Sequence, residues 1–124
     1  MAGQFDRSAM LIGYNGIERL QKCHVAIFGL GGVGSFCAEA LARAGTGRLT
    51  LVDFDVIDIT NLNRQLLALH STIGRGKAEV MKERLADLNP GAEIILIFLP
   101  VILIPACVSS SPAFLMMYSA YKSG

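Results

Sequence analysis

Short apolar runs alternate with amphipathic stretches along residues 11–95, and this alternation predicts strands separated by helices. Residues 25–28 and 49–52 are continuous runs of apolar or β-branched side chains, typical of strands that are covered on both faces. Residues 93–99 are expected to form the third strand, in which an apolar run follows Glu93. Because strand, helix and strand follow one another, the pattern predicts an α/β fold with a doubly wound parallel sheet.

The segment before the first strand has a helical period. It predicts a helix from Leu11 to Lys22, in which Asn15 and Glu18 form a capping box. Ile17 and Leu20 supply its apolar edge. The sheet is therefore expected to be preceded by an N-terminal helix.

Two further helices are expected between the strands. The first is followed by glycines at 45 and 47, and its predicted buried face is Val33, Phe36, Cys37, Ala40, Leu41 and Ala44. The second runs from about Lys77 to Leu88 and ends at an Asn-Pro-Gly sequence. Its predicted buried residues are Ala78, Met81, Leu85 and Leu88.

The first strand leads directly into the glycine-rich sequence GLGGVG, residues 29–34. Glycines let the main chain turn tightly and approach phosphate oxygens, and the helix that follows directs its N–H groups toward an anion. Asp53 ends the second strand, where a carboxylate can accept hydrogen bonds from ribose hydroxyls. This combination predicts a nucleotide site, but it fits NAD as well as ATP.

The polar segment after Asp53 favours ATP. It contains Asp55, Asn61, Arg64 and Lys77, and it is long for a simple connection. Adenylyl transfer develops charge on the phosphates, which cations can stabilise, whereas a dehydrogenase does not need such a loop. Asp55 or Asn61 could orient the cations or approach a metal ion. A solvent-exposed face would account for the same cations without any ligand.

Composition limits the class of protein only weakly. The chain has 124 residues and a net charge of +1, so no overall basic field indicates nucleic acid. The three cysteines are odd in number and have no CxxC spacing, which argues against a disulfide framework and favours the cytoplasm. No signal peptide is expected, and Cys37 and Cys107 are interpreted as packing residues.

The sequence GLGGVGSFCAEALARAGTGRLTLVDFDVIDITNLNRQLLALHSTIGRGKAEVMKERLADLNP resembles the ThiF/MoeB/HesA family of ubiquitin-activating-enzyme-like adenylyltransferases. The phrases GGVGSF and NRQLLALHSTIG, and the opening FDRSAMLIGYNGIERL, are most similar to its branch of tRNA threonylcarbamoyladenosine dehydratases. The resemblance covers about residues 5–95 and implies a Rossmann-like domain.

The resemblance also implies roles for particular residues. Asp53 would bind the ATP ribose, and Arg64 and Lys77 would act on the phosphates. Arg7 would reach across a homodimer into the partner's site. The remaining residues of the implied ATP site are Gly29, Gly31, Gly32, Gly34, Asp55, Asn61 and Gln65. The family usually has proline before the lysine, where this chain has Gly76.

ATP and Mg²⁺ are the cofactors that the family implies, and tRNA is the implied substrate of the dehydratase branch. There the threonylcarbamoyl carboxylate is adenylated and then cyclised with loss of water. In sulfur-carrier branches the activated group is instead the C-terminal glycine of a ubiquitin-like protein. The glycine-rich loop by itself would also fit a redox Rossmann domain that uses NAD, or a non-catalytic nucleotide-binding fragment.

After about residue 95 the likeness ends, and Ile94 to Tyr121 contains no charged residue. A frame-changed or truncated end is the leading interpretation of residues 96–124, because the family's later strand with a magnesium-binding aspartate is missing. A substitute core strand or helix is the second. A membrane segment is the least favoured, because three prolines interrupt the stretch.

Overall fold

The computed structural model describes residues 3–99 and 114–118. The helices are α1 (Asp6–Gln21), α2 (Gly34–Ala44) and α3 (Lys77–Leu88). The strands are β1 (His24–Phe28), β2 (Arg48–Val52), β3 (Glu93–Ile97) and β4 (Phe114–Tyr118). Two short 3-10 turns, Ile59–Asn61 and His70–Thr72, lie in the connection from β2 to α3. The predicted α/β class and the first three strands are confirmed, with β3 two residues shorter than expected.

The strands form one parallel sheet in the order β3-β2-β1-β4. His24 of β1 pairs with Arg48 of β2, and Arg48 pairs with Glu93 of β3. Helix α2 contacts β1 and α3, and α3 contacts β3. Because every strand points the same way, the carboxyl ends of β1 and β2 meet at one edge, which brings the glycine-rich loop beside Asp53.

The core lies between the sheet and the two crossover helices. Its buried members include Ile27, Leu49, Leu51, Met81 and Leu85, each at 1% exposure or less. The continuous apolar runs of β1 and β2 are therefore buried as expected. Helix α3 also confirms its prediction, since Ala78, Met81 and Leu85 are buried and Leu88 packs against the core from a partly buried position.

The predicted buried face of α2 is wrong for three of its residues, although Leu41 packs against the core as expected. Val33 and Phe36 are 66% and 52% exposed, and Ala40 is also exposed. The side chains that α2 buries are Ser35, Ala38 and Ala42. Alanines occur on several sides of this helix, so apolar spacing alone did not distinguish the two faces.

Helix α1 begins at Asp6, five residues before the predicted start. It is interrupted at Gly13, whose φ of 71° and ψ of 163° are not helical. The predicted capping box is wrong, because Asn15 lies inside the helical segment that follows this kink. Ile17 is buried as expected, whereas Met10 and Leu11 are 80% and 89% exposed.

The three interpretations of residues 96–124 depend largely on residues 100–113 and 119–124, which lie outside the described part of the chain. Within it, the backbone of β4 pairs with β1, and His24 is opposite Phe114. Searching the described residues finds no helix with the length and apolar character needed to cross a bilayer. The domain boundary at residue 95 stays a prediction.

Candidate nucleotide-binding site

The glycine-rich loop starts with a backbone conformation that glycine adopts far more easily than other residues. Gly29 has a φ of 89°, and its N–H donates a hydrogen bond to the Val52 carbonyl oxygen at 2.9 Å. This bond ties the loop to the end of β2. Gly34, also a predicted site residue, is buried at the first position of α2. The loop thus connects β1 to the N-terminus of a helix, where main-chain N–H groups favour an anion.

Asp53 joins the end of β2 to the glycine-rich loop. Its Oδ2 accepts the Leu30 N–H at 2.7 Å, and its Oδ1 accepts the Asp55 N–H at 2.8 Å. The residue is only 5% exposed. Each carboxylate oxygen can accept more than one hydrogen bond, so the predicted contact with a ribose hydroxyl is compatible with these two bonds.

The segment that contains Arg64 packs against the loop. A Cβ built on Gly32 would lie 3.5 Å from Arg64 Cγ, and one built on Gly31 would lie 3.9 Å from Gln65 Nε2. Gly31 therefore has room for a side chain that it does not carry, and this open space is what a phosphate cradle requires. The residues of the loop fit a nucleotide phosphate on this observation.

Arg64 presents an exposed guanidinium beside the loop. Its Nη1 donates to the Thr60 carbonyl oxygen at 3.2 Å and to Asn63 Oδ1 at 2.9 Å. No carboxylate among the described residues forms an ion pair with it. The guanidinium thus keeps the capacity to bind an oxyanion.

Asn61 and Gln65 are both buried, but they play different parts. Asn61 Oδ1 accepts the Asp58 N–H at 2.9 Å and so completes the capping box of the first 3-10 turn. Its oxygen is therefore engaged in holding the loop. Gln65 is 6% exposed, and its Oε1 has no hydrogen-bond partner among the described residues. A buried acceptor without a partner is costly, and here it lies beside the glycine-rich loop.

Lys77 and Asp55 form an ion pair at the start of α3. The Nζ of Lys77 lies 3.7 Å from Asp55 Oδ2, with 5% of the lysine side chain and 30% of the aspartate side chain exposed. The main chain connects the same residues, since the Lys77 N–H donates to the Asp55 carbonyl oxygen at 3.0 Å. A buried cation thus stands next to the polar loop that follows β2.

Asp58 supports the same loop from the solvent side. Its Oδ1 accepts hydrogen bonds from the Thr60 N–H and hydroxyl, and these bonds hold the pKa of the Asp58 carboxyl below its ordinary value. The positive charge of Lys77 lowers the pKa further. Asp58 was not among the predicted site residues, although an acid three positions before Asn61 is a recognisable cap signal.

The role of Ser35 was also not predicted from the sequence. It is fully buried, its hydroxyl donates to the Gly31 carbonyl oxygen, and the same hydroxyl oxygen accepts the Leu66 N–H at 3.3 Å. It therefore links the glycine-rich loop to the segment after Arg64. A small polar residue directly after the last glycine was the available signal.

The candidate residue Arg7 is not brought into this group, and Cys37, interpreted as a packing residue, lies outside it too. Arg7 is exposed on α1, and its side chain forms no ion pair with another described residue. Cys37 is half-buried on α2, and burial raises the pKa of its thiol. A raised pKa disfavours the reactive thiolate, so the packing interpretation of Cys37 fits better than a catalytic one.

A parallel sheet with a glycine-rich loop after β1 and an acid after β2 defines an α/β domain of the Rossmann-like class. The chain belongs to the ThiF family, which it matches over residues 5–102. The resemblance found in the sequence is confirmed by this match.

Individual relatives agree with this membership. The chain is 57% identical over 95 residues to the tRNA threonylcarbamoyladenosine dehydratase of Bacillus subtilis, and the match covers 77% of the chain and 37% of that protein. It is 43% identical to the Escherichia coli dehydratase, with 76% and 35% covered. The molybdopterin-synthase adenylyltransferase of Salmonella typhimurium is 40% identical, with 70% and 36% covered. The chain thus spans about a third of the length of these relatives.

A solved structure also matches the fold. The E. coli tRNA threonylcarbamoyladenosine dehydratase in complex with ATP superimposes with a TM-score of 0.75 at 42% identity, covering 77% of this chain and 39% of that one. The same dehydratase has been crystallised with AMP. The Rossmann-like class inferred from the sequence is confirmed, and homologues of this chain bind adenine nucleotides.

Proposed function

We propose that this chain binds ATP and supplies the nucleotide-holding part of an adenylyl-transfer site of the tRNA threonylcarbamoyladenosine dehydratase type. The observation that carries the proposal is the group formed by the open space at Gly31, the carboxylate of Asp53 and the cations of Arg64 and Lys77. The names and bound nucleotides of the relatives support the same function.

ATP would supply an α-phosphate that a carboxylate oxygen attacks, with pyrophosphate as the leaving group. The main chain at Gly31 and Gly32 would hold the phosphates close to the N-terminus of α2. Asp53 would accept hydrogen bonds from the ribose hydroxyls. Arg64 and Lys77 would offset the negative charge on the phosphates, Arg64 from the solvent side and Lys77 from the buried side.

The described residues do not form a complete magnesium site by themselves. The described part of the chain contains no group of three His, Cys, Asp or Glu side chains that could hold a metal ion. Asp55 is the partly exposed carboxylate of the loop, and it is paired with Lys77. We therefore assign no step to the ion. Protein-bound Mg²⁺ is commonly held by one or two carboxylates together with substrate phosphates.

The proposed function also implies a substrate, a cellular location and a second subunit. A tRNA carrying threonylcarbamoyladenosine would be the substrate in the cytoplasm, and Arg7 would act across a homodimer. Its exposed position on α1 is compatible with that role. The second candidate is activation of a ubiquitin-like sulfur carrier, favoured by the 40% identity to a molybdopterin-synthase adenylyltransferase.

A ligand series measured by thermal unfolding tests the nucleotide. We expect ATP and AMP to raise the melting temperature more than NAD does, because a ligand that binds only the folded state stabilises it according to its affinity. A rise with NAD alone would refute the proposal.

The Arg64→Ala variant tests the role of the guanidinium. It should lose most of the ATP response while its unliganded melting temperature stays unchanged. Arg43→Ala, an exposed arginine on α2, is the matched control and should keep the response.

Exchange of labelled pyrophosphate into ATP tests the substrate branch. Exchange that depends on tRNA containing threonylcarbamoyladenosine supports the dehydratase type. Exchange that depends on a sulfur-carrier protein would support the second candidate instead. ATP binding without exchange on either substrate would leave the non-catalytic fragment as the correct description of this chain.

A further inference from the structure

Lys77 carries its charge in a buried position. Its side chain is 5% exposed, although it occupies the first turn of α3 next to a polar loop. A buried ammonium is costly unless a counter-ion or a hydrogen-bond acceptor lies close to it. The position of its counter-ion therefore fixes the position of the Lys77 ammonium in the nucleotide-free protein.

Asp55 is placed to be that counter-ion by the main chain as well as by its side chain. Its carbonyl oxygen accepts the Lys77 N–H at 3.0 Å, and its own N–H donates to Asp53 Oδ1 at 2.8 Å. These two bonds fix the distance from the β2 end to the start of α3. A continuous series of contacts thus connects Lys77 through Asp55 and Asp53 to Leu30 in the glycine-rich loop.

The charge pair itself is loose. At 3.7 Å, Nζ and Oδ2 attract each other but do not form a hydrogen bond of normal length. The ammonium therefore keeps its donors for another oxyanion. Asp58, the other acid that acts electrostatically on Lys77, is exposed and has its Oδ1 bonded to Thr60. Among the described residues, Asp55 provides the ion pair of Lys77.

We propose that Asp55 is a positioning residue that holds the Lys77 ammonium at the polar loop after β2, so that triphosphate meets a cation already in place. This inference rests on the proposed binding of ATP. Asp55 acts through Lys77 and does not itself contact the phosphates, and its negative charge is needed for the position of the cation.

Calorimetric titration of ATP and of adenosine into the wild type and Asp55→Asn tests the inference. Adenosine lacks the phosphates that Lys77 would bind, so it reports on the rest of the site. We expect Asp55→Asn to lower the ATP affinity about tenfold, the size of one coupled charged contact, and to leave the adenosine affinity within about twofold. An unchanged or higher ATP affinity would overturn the proposal.

The Lys77→Ala background separates positioning from direct contact. If Asp55 acts only through Lys77, Asp55→Asn should have no further effect on ATP affinity in that background. A full loss in the same background would mean that Asp55 supports ATP binding independently of Lys77, for example by holding a metal ion. Asp87→Asn, the same charge change at the far end of α3, is the control and should leave both affinities unchanged. Asp55→Glu keeps the charge and should retain the preference for ATP over adenosine.

Acetylation of the lysine amines gives a readout that needs no nucleotide. Mass spectrometry would compare modification of Lys77 with that of the exposed Lys82 on the same helix. We expect Asp55→Asn to raise the Lys77 to Lys82 ratio severalfold, because the released side chain spends more time in solvent. An unchanged ratio would overturn the positioning role. Absence of ATP binding by the wild type would instead refute the proposed function, while this ratio still reports on Asp55.

Discussion

Asp53 and Leu30 are joined by a 2.7 Å hydrogen bond from the Leu30 N–H to the aspartate Oδ2. They are 23 positions apart in the sequence and follow the ends of the neighbouring strands β1 and β2. The bond sets the glycine-rich loop in a fixed relation to the carboxylate that would bind ribose. Under the proposed function, nucleotide binding and folding would therefore depend on the same side chain.

Asp53→Asn should affect both properties. One of the two main-chain N–H groups that the carboxylate accepts would face an amide NH₂, and an unsatisfied buried donor costs about 1–3 kcal/mol. We expect the free energy of unfolding, measured in urea, to fall by about 2 kcal/mol. The stabilisation that ATP produces should also decrease. Asp87→Asn should change stability by less than about 0.5 kcal/mol. A variant as stable as the wild type would contradict this role for the hydrogen bonds.

Gly31→Ala should separate folding from nucleotide binding. Its new Cβ meets no described atom closer than 3.9 Å, and the residue is not among those with positive φ, so stability should change by less than about 1 kcal/mol. The methyl group would occupy space that a phosphate needs, so we expect ATP affinity in calorimetry to fall about tenfold or more, or about 1.4 kcal/mol. Gly91→Ala, in an exposed turn after α3, is the control. Normal ATP affinity in Gly31→Ala would place the phosphates elsewhere.

Gly76→Pro should stabilise the protein. Gly76 has a φ of −63°, the value that proline imposes, and it precedes the first turn of α3. A substitution that fits the native main chain restricts the unfolded chain and adds about 0.4–1 kcal/mol of stability. Thermal unfolding checks the gain, and ATP affinity should be unchanged because the position of Lys77 is retained. A lower melting temperature would mean that the turn depends on the freedom of glycine.

Asp58 should make stability depend on pH in the acid range. Its folded-state pKa is lowered from 3.8 chiefly by the Thr60 hydroxyl and N–H, so the folded protein favours the carboxylate. The stabilising contribution is fully present above the unfolded value and is lost as the pH falls through the lower folded-state value. We expect the wild type to be more stable than Asp58→Asn near neutral pH and the difference to decrease below pH 3.8. Urea denaturation across the range measures it. A constant difference would exclude this titration.

The sheet could be predicted because its strands are short continuous apolar runs that a parallel sheet buries on both faces. Residues 25–28 and 49–52 are too short and too apolar for amphipathic helices, so they favour buried strands. The loop and Asp53 followed from where these strands end. Helix α3 was equally clear, since Met81 and Leu85 lie four positions apart among charged residues.

The face of α2 could not be predicted from apolar spacing. Ser35 is buried because its hydroxyl bonds to Gly31 and Leu66, and Leu66 is distant along the chain. Phe36 is exposed among the described residues in spite of its apolar side chain.

The start of α1 and the capping bond of Asn61 were missed for a similar reason. Met10 and Leu11 gave no buried stripe, whereas Asp6 Oδ2 accepts the Gly3 N–H at the true start of the helix. The role of Asn61 in the phosphate region stays a prediction, whereas the bond by which its Oδ1 caps a turn was not predicted. In both places a hydrogen bond between a side chain and the main chain decides the structure, and apolar periodicity does not report such bonds.

The register of the parallel sheet has a consequence for the order in which the protein folds. Strands β1 and β2 pair residues 24 and 48, whereas β2 and β3 pair residues 48 and 93. The second loop is nearly twice as long, and each doubling of a closing loop costs about 0.6 kcal/mol more chain entropy. The unit from β1 to β2 should therefore assemble earlier, with the glycine-rich loop and Asp53 inside it. Lys77 would reach its position in the proposed nucleotide site only later, when the connection from β2 to β3 closes.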